Sequence, residues 1–307
     1  MKAIRFHEYG EASVLKLEDV PAPELGPGDV LVRVHAAGVN PVDWKIRAGY
    51  LKAFRPYPLP FIPGWDVSGV VETQGSIFKP GDEVWGKPDM NRPGAYAEYI
   101  AVKESDLSLK PKSLDHVMAA SIPLAGLTAW QALFDHGELK PGGKVLIHAG
   151  AGGVGSLAIQ FAKAKGIRVA ATGSGRNQDL LRQLGADLPI DYESACFEEV
   201  VSDVDAVIET LGGDVRQRSW KTLRKGGVLV AVIGPAPTDE EAASHEARQK
   251  LMWGTSNSAQ LDQIGSLLTE GKVRPVIQAV FPLSEARAAH ELSQTNRVRG
   301  KIVLQVV

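Results

Sequence analysis

Two short stretches hold residues whose types and spacing can do chemistry. The first is Gly150-Ala151-Gly152-Gly153-Val154-Gly155, which follows the pattern G-x-G-x-x-G. The first glycine permits a tight turn. The second lets bare backbone approach a pyrophosphate, and the third lets a helix pack closely on a sheet. The start of such a helix offers free N–H groups and a partial positive charge to phosphates. The second stretch is Asn40-Pro41-Val42-Asp43-Trp44-Lys45-Ile46-Arg47, which gathers a carboxamide, a carboxylate and an ammonium into one loop. Those groups can orient a polar ligand or donate a hydrogen bond to a developing oxyanion.

The glycine pattern means little unless a strand precedes it and a helix follows. Lys144-Val145-Leu146-Ile147-His148-Ala149 has the apolar content of a buried strand, and Val154, Leu157, Ala158, Phe161 and Ala162 recur at helical spacing after it. Ile167-Arg168-Val169-Ala170-Ala171-Thr172 predicts a second strand. Leu180, Leu181 and Leu184 mark a second helix, with Gly185 placed to end it. Strands follow at 204–208 and 228–233, and a further one at 250–253. This alternation predicts a doubly wound parallel sheet. The earlier part of the chain reads differently. Short β-branched runs at 30–34 and 66–71, and a similar run at 95–100, are separated by prolines and glycines, which predicts a β-rich domain. The tail 272–307 returns to that pattern and closes with Gly300-Lys301-Ile302-Val303-Leu304-Gln305-Val306. The expected organisation is therefore a discontinuous first domain, 1–120 and 272–307, around a dinucleotide-binding domain, 121–271.

The end of the second strand bears on which dinucleotide binds. NAD sites usually place Asp or Glu about 20 residues after the glycine loop to hold the ribose 2′-hydroxyl. Here the strand ends Thr172-Gly173-Ser174-Gly175-Arg176-Asn177, without a carboxylate. Ser174 can donate a hydrogen bond to a 2′-phosphate, and Arg176 can pair with one. The expected cofactor is NADPH.

Several separated motifs together resemble the zinc-independent medium-chain dehydrogenases/reductases, in the quinone oxidoreductase and enone reductase group. They are Met1-Lys2-Ala3-Ile4, 36–43, 63–71, Lys79-Pro80-Gly81-Asp82-Glu83-Val84, 94–99, Ala125-Gly126-Leu127-Thr128-Ala129-Trp130, the glycine loop and Gly300-Lys301-Ile302-Val303-Leu304. They span essentially the whole chain, in order. The resemblance implies an α/β protein: a GroES-like β-rich substrate domain plus a Rossmann domain with a doubly wound parallel sheet, and a cleft between them. It implies that Thr128, Thr210-Leu211-Gly212 and Ile233-Gly234 lie on the nicotinamide side. It places Tyr192 beside the adenosine end, where the residue reads equally well as a loop aromatic. Lys45 would hydrogen-bond the nicotinamide ribose or an enolate oxygen, with Asp43 orienting it rather than acting as an acid, or else be a surface lysine or one paired with Asp43 to hold the loop. Asn40 would orient the carboxamide or substrate, or simply precede the turn at Pro41. Tyr50, Trp65 and Trp253 would form an apolar substrate wall, or belong to the core. A homodimer through Rossmann sheet edges is also implied.

Zinc relatives of that family use Cys and His ligands in the substrate domain. The one cysteine here, Cys196, lies in the other half, and Gly64-Trp65-Asp66 stands where those relatives have Gly-His-Glu. The histidines His7, His35, His116, His136, His148, His245 and His290 lack metal-ligand spacing. No zinc is expected. Without a Lewis acid, a conjugated carbonyl or quinone is an easier hydride acceptor than a simple ketone, because the charge spreads into an enolate. The expected function is NADPH-dependent reduction of a quinone or an α,β-unsaturated carbonyl. The other readings are zinc-free ketone or aldehyde reduction, and a non-catalytic, crystallin-like NADPH-binding protein.

The 307 residues suffice for two domains, and 44% apolar against 23% charged residues is ordinary for a water-soluble globular chain. A net charge of −2 argues against general affinity for nucleic acid or anionic membrane. A single cysteine excludes an internal disulfide. The charged, interrupted N-terminus lacks signal-peptide character, and the expected location is the cytosol.

Overall fold

The computed structural model describes residues 1–307. In chain order its strands begin with β1 (Lys2–Arg5), β2 (Lys16–Asp19), β3 (Asp29–Val39), β4 (Val67–Val71), β5 (Glu83–Gly86), β6 (Tyr99–Lys103) and β7 (Leu107–Leu109). Then come β8 (Lys144–Ile147), β9 (Arg168–Gly173), β10 (Leu188–Asp191), β11 (Val204–Glu209), β12 (Leu223–Ala231) and β13 (Arg248–Leu251), followed by β14 (Ile277–Pro282) and β15 (Lys301–Gln305). The chain divides into two units, one of residues 1–127, 256–271 and 275–307, the other of 128–255 and 272–274.

The first unit is built on β14-β15-β3-β4-β5-β7, with β6 also paired to β3. Along β3 the burial alternates from Asp29 to His35 and then becomes continuous, as expected where one face of a sheet meets the core before both faces are covered. Trp65, Tyr57, Phe61, Tyr96 and Phe6 fill that core with the β-branched residues of β3 and β4. The return of the tail follows from pairing: β15 runs antiparallel to β3, with Ile302 opposite Val39.

The boundary near 271 differs from the sequence expectation. The helix Ser258–Thr269 falls in the first unit, although its 3.6-residue period fits a Rossmann helix equally well. Its Asp262 carboxylate accepts a hydrogen bond from Ser108 Oγ at 2.6 Å. Gly265 lies against Pro111, where a Cβ would be 3.1 Å from Pro111 Cγ. Periodicity reveals that a helix has an apolar face but not which sheet covers it.

The second unit is a six-stranded sheet in the order β10-β9-β8-β11-β12-β13, parallel throughout. Counted from β8, this is the 3-2-1-4-5-6 order of a doubly wound dinucleotide fold. Val145, Leu146 and Ile147, like Val228 to Ala231, are fully buried, as central parallel strands must be. The helix Gln178–Gln183 ends with Gly185 at φ +99°, the left-handed position that the sequence assigns to it.

His290, on the helix Ala286–Gln294, is fully buried in the first unit, edge-on to Tyr96 at 5.7 Å, with neither ring nitrogen hydrogen-bonded. Burial, aided by the Arg47 charge, drives its pKa down to about 3. The unfolded chain therefore takes up a proton near pH 6.5 that the folded chain refuses, and stability falls as pH drops below that value. The expected loss from this residue is about 2 kcal/mol between pH 7 and pH 5. His290→Phe should fold at pH 7 and lose that much less on acidification, read by denaturant melts at the two pH values. An unchanged pH slope would contradict the assignment.

Candidate functional site

In the second unit, β8 leads through the glycine loop into the helix Gly153–Ala164. The loop glycines divide their work differently from the sequence expectation. The residue with positive φ is Ala149, at +50°, and not Gly150. Gly150 is needed for packing, since a Cβ there would be 2.8 Å from Leu181 Cδ2 and 3.1 Å from Ala171 Cβ. A Cβ on Gly155 would be driven into the Ala149 carbonyl and lie 2.8 Å from Gly150 Cα. Gly152 caps the helix with φ −80° and ψ 179°, without a side-chain cap. A Cβ on it would meet only the Ala149 oxygen, at 3.3 Å. The fold accommodates a methyl at 152 with a shift of a few tenths of an ångström; a closely bound ligand would not. The first-turn amides of Gly153, Val154 and Gly155 have no carbonyl one turn back within the helix, so they are available to an anion.

His148 braces this loop from below. It is buried, with Nδ1 3.1 Å from Thr172 Oγ1 and Nε2 2.9 Å from Ser219 Oγ. Ser219 donates its own hydroxyl proton to the Val215 carbonyl, so Nε2 carries the imidazole proton and Nδ1 accepts from Thr172. Burial holds the His148 pKa down to about 3, which keeps the ring neutral. Its role is structural.

The end of β9 carries Ser174, nearly buried, and Arg176, exposed. Ser174 Oγ accepts from Asn177 Nδ2 at 3.1 Å. The structure also brings acids here that the local sequence does not show. Glu193 Oε2 accepts from the Gly175 N–H at 3.1 Å, and Asp191 accepts from the Glu193 N–H. They arrive from the end of β10, which pairs with β9 and puts Asp191 opposite Gly173. Tyr192 is 57% exposed at the same turn.

At the carboxyl ends of β11 and β12, Thr210 Oγ1 lies 3.4 Å from the His148 carbonyl, Leu211 is half exposed and Gly212 has φ +76°. Ile233 and Gly234 follow β12, and a Cβ on Gly234 would meet nothing within 4 Å. Thr128 is buried, and Gly254 backs onto it so closely that a Cβ there would lie 2.6 Å from Thr128 Oγ1. Trp253 is 61% exposed.

In the first unit, Asn40 and Asp43 open the helix Pro41–Arg47 and are buried. Asp43 Oδ2 accepts from the Asn40 N–H at 2.8 Å and from Tyr96 Oη at 2.7 Å. Burial pushes its carboxyl up to about 7, against those hydrogen bonds and the attraction of Lys301. Asp43 thus does not hold Lys45, which corrects that expectation: successive helical residues two apart point away from each other. Lys45 is half-buried, its ammonium 5.7 Å from the Trp44 ring centroid, and burial lowers its pKa. Asn40 is likewise committed, donating to Asp66 Oδ2 at 2.7 Å and accepting from Lys301 Nζ. Trp65 is a second correction. It is fully buried beside Tyr57 and Phe61, so it builds core and not an open substrate wall. Tyr50 remains 65% exposed, edge-on to Trp44.

Asp66 stands in the segment where zinc relatives carry ligands, and its chemistry does not suit zinc. Its oxygens accept from Lys301 Nζ at 3.1 Å, Asn40 Nδ2 and the Leu124 N–H. The neighbouring indole of Trp65 has no lone pair to give. No three His, Cys, Asp or Glu side chains gather as a ligand set anywhere in the chain.

Comparison with known proteins gives two family matches, the second of which runs across both units. Residues 26–112 match the alcohol dehydrogenase GroES-like domain, and 184–304 match the family described as zinc-binding dehydrogenase. The 2-methylene-furan-3-one reductase of Solanum lycopersicum is 39% identical over 321 residues, covering 100% of this chain and 79% of that protein. The chain belongs to the medium-chain dehydrogenases/reductases, in the quinone oxidoreductase and enone reductase group. A chloroplastic NADPH-dependent alkenal/one oxidoreductase of Arabidopsis thaliana is also 39% identical to this oxidoreductase, over 318 residues, 99% of this chain and 79% of that protein. Among solved structures, the quinone oxidoreductase from Coxiella burnetii superposes with a TM-score of 0.92 at 42% identity, covering 100% of this chain and 99% of the other. The match over 184–304 does not include the Gly64-Trp65-Asp66 segment, so its description is no evidence for a metal there.

Proposed function

We propose that this oxidoreductase transfers hydride from NADPH to a quinone or an α,β-unsaturated carbonyl without zinc. The observation that carries the reading is the bare cradle at Gly152, an extended residue that the fold would allow to be alanine, at the start of an uncapped helix on the first crossover of a 3-2-1-4-5-6 sheet. Relatives of similar sequence named as NADPH-dependent alkenal/one oxidoreductase and 2-methylene-furan-3-one reductase support the choice of cofactor and substrate class.

When bound, reduced nicotinamide supplies the hydride. The chain supplies the rest. Amides of 153–155 receive the pyrophosphate, and Arg176 with Ser174 receives the 2′-phosphate, tempered by the nearby Glu193 and Asp191. Lys45, with no carboxylate in contact, is the proposed hydrogen-bond donor to the oxygen on which enolate charge develops. A homodimer belongs to the same reading, supported by β13, which ends the six-stranded sheet with one edge unpaired.

The test is steady-state turnover with matched NADPH and NADH against a quinone, a 2-enone and the corresponding saturated ketone. The expected result is NADPH oxidation with the first two acceptors and little with the third. Lys45→Met should lower kcat/KM by roughly 10- to 100-fold while NADPH affinity holds. Equal turnover of the saturated ketone would point to a carbonyl reductase instead.

A further inference from the structure

A charged pair lies behind the two loops at the carboxyl ends of β11 and β12. Glu209, the last residue of β11, is fully buried, and Arg216, on the helix Gly213–Ser219, is 5% exposed. Glu209 Oε1 accepts from the Leu211 and Gly212 N–H groups, each at 2.5 Å, and Oε2 accepts from Arg216 Nε at 2.7 Å. The other two guanidinium nitrogens reach the next loop. Nη2 donates to the Ile233 carbonyl at 2.5 Å and Nη1 to the Pro235 carbonyl. One carboxylate and one guanidinium thus tie the turn 210–212 to the turn 233–235.

A buried ion pair is a poor way to gain stability, because apolar residues of the same volume often do as well. Its use lies in geometry. A guanidinium is a rigid planar fork, and here its two outer prongs hold carbonyls on either side of Gly234. The carboxylate meanwhile draws two successive amides inward. What these turns leave outward is the Leu211 side chain, half exposed, and the Gly234 backbone, facing a space in which a Cβ would touch nothing within 4 Å.

We infer that Glu209 and Arg216 are positioning residues: they set the spacing of these two turns so that the nicotinamide end of the cofactor fits against Gly234 and Leu211. The inference rests on the dinucleotide reading above. Neither residue touches the cofactor, and each acts through the backbone it holds. A loosened pair therefore weakens recognition of the nicotinamide half and leaves the adenosine half alone.

The experiment compares calorimetric affinities for NADPH and for 2′,5′-ADP, which carries the adenosine and its 2′-phosphate but no nicotinamide. In Arg216→Lys and Glu209→Gln the Kd for NADPH should rise about tenfold, as displacements of about 1 Å in positioning groups readily cause, while that for 2′,5′-ADP stays within about twofold. Gly234→Ala provides a variant that the fold accommodates and should show the same selective loss. Equal weakening of both ligands would mean a general structural role and overturn the inference. So would unchanged NADPH affinity in folded Arg216→Lys and Glu209→Gln, or in Gly234→Ala alone should the charged variants not fold. If the wild type took up 2′,5′-ADP and NADPH not at all, the dinucleotide reading itself would fall with it.

Discussion

Gly152→Ala should fold with nearly wild-type stability and bind NADPH about 100-fold more weakly, a difference of roughly 3 kcal/mol. Alanine takes φ −80° and ψ 179° freely, and its methyl would meet only the Ala149 carbonyl oxygen, a tight 3.3 Å contact relieved by a shift of a few tenths of an ångström. Replacing a glycine N-cap by alanine costs about 0.5–1 kcal/mol of stability. The same methyl would stand where the helix amides meet the pyrophosphate, and the small shift that relieves the Ala149 contact does not clear a phosphate, because the loop is braced by His148 below and by Gly150 packed against Leu181. Gly155→Ala is the contrasting control. It strikes backbone and should lose stability and binding together. Thermal melts and calorimetric NADPH titration separate the two. Full NADPH affinity in Gly152→Ala would show that no phosphate approaches there.

Lys301→Met should destabilise the protein by about 3–5 kcal/mol. Lys301 Nζ lies 3.1 Å from Asp66 Oδ2, with the two side chains 5% and 0% exposed, and it also donates to the Val39 carbonyl at 3.0 Å and to Asn40. Methionine fills a similar volume but leaves a buried carboxylate with no counter-charge. Adding Asp66→Asn removes that charge, keeps an oxygen acceptor for the Leu124 N–H, and offers an amide donor to Asn40 Oδ1, which the loss of Lys301 leaves free once the Asn40 amide turns over; most of the loss should be recovered. Denaturant unfolding of the two single variants and the double variant completes the cycle. Additive losses would mean that the two residues act separately.

The pair also shows what local sequence hides. Lys301 and Asp66 are 235 positions apart and meet because β15 lies beside β3, next to Asn40. Taken singly they read as a strand-edge lysine and an acid after a tryptophan. Glu209 and Arg216 likewise look like charges flanking a glycine turn. Only the return of one loop onto its neighbour reveals four backbone partners. Asp191 and Glu193 were illegible at the β9 turn because they follow a different strand.

The glycine loop, by contrast, was legible because its strand, turn and helix are contiguous and its chemistry is carried by backbone. The sheet was legible for a related reason: parallel strands buried on both faces leave unbroken apolar runs. Trp65 was ambiguous because an aromatic after a glycine turn suits a core or a pocket wall, and burial alone decides. The Asp43–Lys45 pairing failed on helical geometry, with Tyr96 taking the carboxylate in place of the lysine.

The most direct measurement follows a labelled hydride. NADPH carrying deuterium on the transferred position of C4 is mixed with the enzyme and an α,β-unsaturated ketone, and the product is read by NMR. Deuterium should appear on the β-carbon, with the carbonyl retained. Deuterium on the carbonyl carbon, or tight NADPH binding with no transfer to any enone or quinone, would contradict the assigned chemistry.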